Sequence, residues 1–149
     1  LAGMFLSLAI FAAPAGILAD RYGGFKIRFI AALLCGGSLI GLGLMAWLPA
    51  VVILPPCLLL YGVGAAGLMP SAFSVAVRPD ASNLVFGSLQ TAGQAGYAFG
   101  VLSGAWIVGV VSLPAEMLLS TMFPIAGVLF IVVNLGLLVL IRNMSKSLR

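Results

Sequence analysis

The sequence predicts an all-α membrane protein, a polytopic bundle of about five transmembrane helices. Three observations carry this prediction. The chain is 63% hydrophobic and only 7% charged, with a mean hydropathy of +1.28, whereas water-soluble domains carry about 25% charged residues. Residues 29–77 contain no Asp, Glu, Lys or Arg, and crossing about 30 Å of hydrocarbon takes roughly 20 helical residues. The basic residues Arg21, Lys26, Arg28, Arg78, Arg142, Lys146 and Arg149 form three clusters, each separated from the next by room for two spans. The alternating ten-residue segments of a membrane barrel are absent.

Each span follows from local signals. The first covers about 1–19, with Pro14 near its inner end, where proline in a membrane helix marks a kink. The charge-free run that follows is too long for one helix. Pro49 beside Trp47 divides it, since Trp favours the membrane interface. This places spans at about 27–48 and 51–77. Pro55 and Pro56 suit the first turns of the latter, where a missing N–H costs little, and Pro70 is expected to kink it. Arg78 to Asn83 is a polar turn offering Ser82 or Asn83 as an N-cap. A fourth span covers about 84–112 and a fifth about 116–141. Glu116 opens the fifth, where a carboxylate suits the positive end of the helix dipole. Residues 142–149 form a basic tail.

All seven basic residues then lie on one side, which the positive-inside rule makes the cytoplasm. The expectation is a multi-pass protein of the cell membrane with a cytoplasmic C-terminus. The net charge of +4 does not indicate nucleic acid, because the basic residues flank apolar spans and form no patch interleaved with aromatics. No basic n-region or cleavage site marks a signal peptide. Cys35 and Cys57 fall in different spans at different depths and are read as small packing residues, not as a disulfide.

One stretch stands apart. Four of the ten charged residues (Asp20, Arg21, Lys26 and Arg28) lie within the nine positions 20–28. Asp20 follows the first span, at the end where the helix dipole disfavours a carboxylate, so it needs a compensating cation. Arg21, Lys26 or Arg28 could answer it locally, or the positive end of another helix arriving at the same surface. Gly16 would admit that helix, and Gly23 with Gly24 permits a turn of positive φ. The plain alternative is a charged turn that only sets topology.

The lettering G-x-L-A-D-R-x-G-x-x-K over Gly16, Asp20, Arg21, Gly23 and Lys26 resembles the loop between the second and third helices of each half of a major facilitator superfamily transporter. That resemblance implies a bundle of about twelve helices, of which this chain would supply about five. The whole of 1–149 would then be a partial transporter domain, with the other half of the polypeptide as its partner. It also implies that Asp20 is an acid latching the cytoplasmic gate, Arg21 its cation, Gly16 and Gly23 packing and turn residues, and Lys26 a second basic position. Gly24 and Phe25 depart from the family, which carries basic residues there, and Arg28 is the candidate substitute. The chain begins with Leu1 inside an apolar stretch, in keeping with a fragment. Two placements compete, helices eight to twelve of the second half or helices two to six of the first. The C-terminal half is preferred, because the Arg expected in the fourth helix of a first half is missing and the span containing Tyr61 has no basic residue, while the match at 16–28, a loop best formed in first halves, favours the other.

The fourth span carries two stripes. Gly93, Gly96, Gly100 and Gly104 cluster on one face, a small-xxx-small pattern that lets helices approach closely. Gln90, Gln94 and Tyr97 form a second face, which reads either as a substrate pathway or as interhelical hydrogen bonding. No proline follows these glycines, so the family's antiporter glycine–proline motif is absent. The stretch Tyr61 to Pro70, with Gly64 and Gly67, resembles the small-residue kinked helices of the superfamily. Asn134 is the one strongly polar group deep in the fifth span and a further pathway candidate, with packing as its simpler role. Trp47 and Trp106 are interface and packing aromatics.

The chain has no His, and no Asp or Glu in the interior of a span. An intramembrane Ser–His hydrolase and a metal centre are therefore not expected from these residues. No enzyme activity, metal or cofactor is predicted. A ring of charges or a filter of the kind channels use is absent. The function expected is secondary active transport of a small solute across the bilayer by alternating access. Any coupling ion such as a proton would bind an acid outside this stretch. The alternative is a non-transporting membrane sensor or subunit built on a transporter-derived fold.

Overall fold

In the computed structural model of the chain, residues 2–76, 83–110 and 114–147 are described. They are all-helical: α1 (Ala2–Tyr22), α2 (Gly24–Leu42) running into a 3-10 turn (Gly43–Ala46), α3 (Ala50–Ala76), α4 (Asn83–Val110) and α5 (Ala115–Ser147). Three stretches are long and apolar enough to cross a membrane: Gly24–Ala46, Ala50–Ala72 and Glu116–Leu140. The protein is thus a helical membrane protein with three such candidate spans among the described residues.

The first link is shorter than expected. α1 continues through Asp20, Arg21 and Tyr22, and α2 starts at Gly24, so Gly23 alone joins them. Its N–H donates to the Ala19 carbonyl (3.0 Å), closing α1, while its own carbonyl accepts from Lys26 N (3.2 Å), opening α2. Gly23 does this at φ 89°, ψ 135°, a conformation open in practice only to glycine. Between α2 and α3 the chain turns over Trp47–Pro49, with Trp47 N bonded to Leu44 O and Val52 N to Pro49 O. Pro55, Pro56 and Pro70 all lie within α3, and Pro14 within α1.

At the other end the basic tail is not a separate segment. α5 continues to Ser147 and takes in Arg142 and Lys146, where cations suit the negative end of the helix dipole. Arg78 and Ser82, of the expected polar turn, and Arg149 lie outside the described residues.

α2 is the hub. It packs on α3 along one face and on α5 along another, while α1 packs mainly on α3. The contact pairs Gly67–Ala31, Gly64–Cys35 and Gly41–Cys57 set α3 antiparallel to α2, and Gly36–Ile131 and Gly43–Pro124 do the same for α5. The residues at the closest helix contacts are small: Ala31, Ala32, Cys35, Gly36 and Ser38 on α2, Ala66 and Ser71 on α3, while Leu42, Ile53, Leu118 and Leu138 are the larger side chains that are also buried. Most of the other large apolar side chains point outwards, with Val51 84% and Trp47 86% exposed. That inversion suits lipid, which is as apolar as Leu and leaves close van der Waals contact between small residues to hold the helices together.

Candidate functional site

The antiparallel pairings bring the C-terminal end of α1, the N-terminal end of α2 and the C-terminal ends of α3 and α5 to one end of the bundle. Arg21, Lys26 and Arg28 therefore share an end with the stretch of α5 that carries Arg142 and Lys146. The Gly16–Arg28 stretch is the candidate site.

Within it, Asp20 lies in the last turn of α1, and its side chain is exposed, as are those of Arg21 and Lys26. Among the described residues Asp20 makes no ion pair with Arg21, Lys26 or Arg28. The local answer to its charge is therefore not made. Consecutive residues on one helix point about 100° apart, so Asp20 and Arg21 diverge, and the tight Gly23 turn sends Lys26 off on another helix. Arg28 is half-buried, and its Nε is fully buried with no hydrogen-bond partner.

Gly16 has a partner inside the chain. A Cβ added there would stand 4.0 Å from Pro70 Cβ of α3, so its bare face receives α3 and not a helix from elsewhere. The ring of Pro70 sits where the sequence suggested a visiting helix, because α1 and α3 run parallel and meet at this level. Gly23 has open space around it, and its role is conformational.

The other candidates are spread. α4 packs closely on none of the other helices among the described residues. A Cβ at Gly96, Gly100 or Gly104 would meet nothing within 4 Å, so the expected close packing of this stripe is not made here. The backbone of α4 sets Gln90, Gln94 and Tyr97 on one face. Their side chains, and the surroundings of Gly93, lie outside what is described.

Asn134 is buried on the stripe of α5 that includes Gly127, Ile131 and Leu138, and its Nδ2 donates to the Phe130 carbonyl one turn back (2.9 Å). Its amide is thus held by its own helix, which fits packing better than solute contact. The structure does not bring it together with the polar face of α4.

The close contacts fall elsewhere. Gly36 and Gly127 abut across the α2–α5 crossing, and Gly64 takes the Cys35 thiol against α3. The Cys35 Sγ–H donates to the Tyr61 carbonyl (3.6 Å), a bond between helices that the sequence reading did not identify. The available signal was the spacing of four in Ala31–Cys35, Ala32–Gly36 and Gly67–Ser71. Cys35 and Cys57 are both free thiols. Among the described residues no cluster of His, Cys, Asp and Glu is arranged to hold a metal.

In comparisons with known proteins, the chain matches no family model, no curated protein and no solved structure.

Proposed function

We propose that this chain is part of a secondary active transporter of a small solute, resembling the major facilitator superfamily, in which the Gly16–Arg28 stretch latches the cytoplasmic gate. One observation carries the reading: an acid in the last turn of a helix, where the dipole opposes it, is left exposed beside a one-residue turn, with no ion partner among the described residues. An exposed acid held at that surface is suited to meet a positive helix end or a cation from a second bundle when the gate closes. Alternating access would then proceed by rocking of two bundles, with Asp20 engaged in one state and free in the other. α4, which packs closely on no other helix among the described residues, would contribute Gln90, Gln94 and Tyr97 to the solute pathway. The orientation proposed is multi-pass, with Asp20 and the end of α5 in the cytoplasm.

The test is uptake by vesicles carrying the intact polypeptide, screened over labelled small solutes with and without an imposed pH gradient. Asp20→Asn is then compared on any solute that enters. The reading expects strongly reduced uptake at unchanged membrane abundance. Unchanged uptake kinetics in Asp20→Asn would remove the latch, and no uptake of any solute would favour the sensor or subunit alternative.

A further inference from the structure

An open cleft of about 720 Å³ lies between the first turns of α2 and the last membrane-embedded turns of α5, walled by Phe25, Phe29, Ile30, Leu135, Leu138 and Val139. Among the described residues its charged lining residue is Lys26, exposed at the end of the bundle where the basic residues gather. Both walls belong to stretches long and apolar enough to cross a membrane, so in a bilayer hydrocarbon would lie along the cleft and the headgroup layer at its Lys26 end. Arg142 stands on the α5 backbone about one turn beyond Leu138, and among the described residues no acid lines the cleft. The groove is therefore apolar along its walls and cationic at its mouth. That combination matches a molecule with one apolar chain and one anionic head.

We propose that this cleft is a binding site for an anionic glycerophospholipid of the same leaflet, with one acyl chain between α2 and α5 and its phosphate at Lys26. Aromatic and branched side chains on both walls supply apolar contact to the chain. The ammonium of Lys26, near the N-terminal end of α2, supplies the charge that separates anionic from zwitterionic lipid. The proposal does not depend on transport, since it uses only the two walls and the cation at their end.

Quenching of tryptophan by brominated acyl chains tests it in the intact polypeptide. Trp47→Phe and Trp106→Phe, with any tryptophan elsewhere in the polypeptide likewise replaced, remove the native reporters, and Phe29→Trp places one in the cleft. The protein is reconstituted in phosphatidylcholine bilayers containing a fixed fraction of brominated phosphatidylglycerol or of brominated phosphatidylcholine. The proposal expects about fivefold preferential association of the phosphatidylglycerol at the introduced indole, the effect of one lysine at an anionic surface, and loss of that preference in Lys26→Gln. Equal quenching by the two lipids would overturn it, as would a preference that survives Lys26→Gln. Quenching by neither lipid would also overturn it, since the cleft would then be covered by protein.

Discussion

The Cys35 thiol fills the space beside Gly64: a Cβ on that glycine would stand 2.7 Å from Cys35 Sγ and 2.9 Å from Cys35 N. Neither the backbone of α2 nor the thiol beneath it has room to retreat, because Cys35 is fully buried. The α2–α3 pair is thus held at a distance that only glycine at position 64 permits.

Gly64→Ala is therefore expected to destabilise the fold by about 1–3 kcal/mol, the usual cost of overpacking a filled interior. Gly127→Ala should behave alike, since its Cβ would press on Ile40 at 2.8 Å. Gly37→Ala, with nothing within 4 Å, is the matched control and should be neutral or stabilising by up to about 1 kcal/mol through its helix propensity. Reversible unfolding in mixed micelles reads all three, and equal costs at positions 37 and 64 would contradict the packing described.

Gly23→Ala addresses the turn. The φ of 89° strains any side chain, with an expected cost of about 1–3 kcal/mol, although no neighbour would touch the new methyl group. The same unfolding measurement checks it. A neutral substitution would mean that α1 and α2 are joined in another way.

Topology can be read with thiol labelling. Cys35 and Cys57 are buried and should stay silent to a membrane-impermeant maleimide in the folded protein. Tyr22→Cys, at an exposed position in the last turn of α1, should label from the cytoplasmic side only. Labelling of that cysteine from outside would reverse the orientation and with it the latch.

Asn134→Leu separates packing from solute contact. The amide donates to its own helix, and hydrogen bonds inside membrane proteins average about 0.6 kcal/mol, so the variant should retain stability to within about 1 kcal/mol. Uptake of a transported solute, once one is known, should also persist. Loss of uptake at normal stability would put Asn134 in the pathway.

Several of these features were legible in the sequence for direct physical reasons. The absence of charge from 29–77 made membrane helices the simplest solution for that run, and Pro49 marked where the chain had to break between two of them. Gly23 was visible as a turn residue because positive φ is a local demand on one residue. The length of the link was not legible, since Asp20, Arg21 and Tyr22 tolerate either a loop or a last helical turn. The helicity of the basic tail was not legible for a related reason: polarity signals where an apolar span ends, here at Leu140, not where the helix ends, and α5 runs on to Ser147.

By itself, then, the sequence determined that the chain is helical, that stretches of it are apolar enough for a bilayer, and where its charges gather. Tertiary structure alone decided which small residues meet. Glycines in α4 and in the other helices read alike along the chain, yet Gly96, Gly100 and Gly104 face open space while Gly36, Gly64 and Gly127 lie at helix crossings. A bare glycine becomes a contact only when another helix arrives, and in an apolar medium local periodicity does not say which helix that will be.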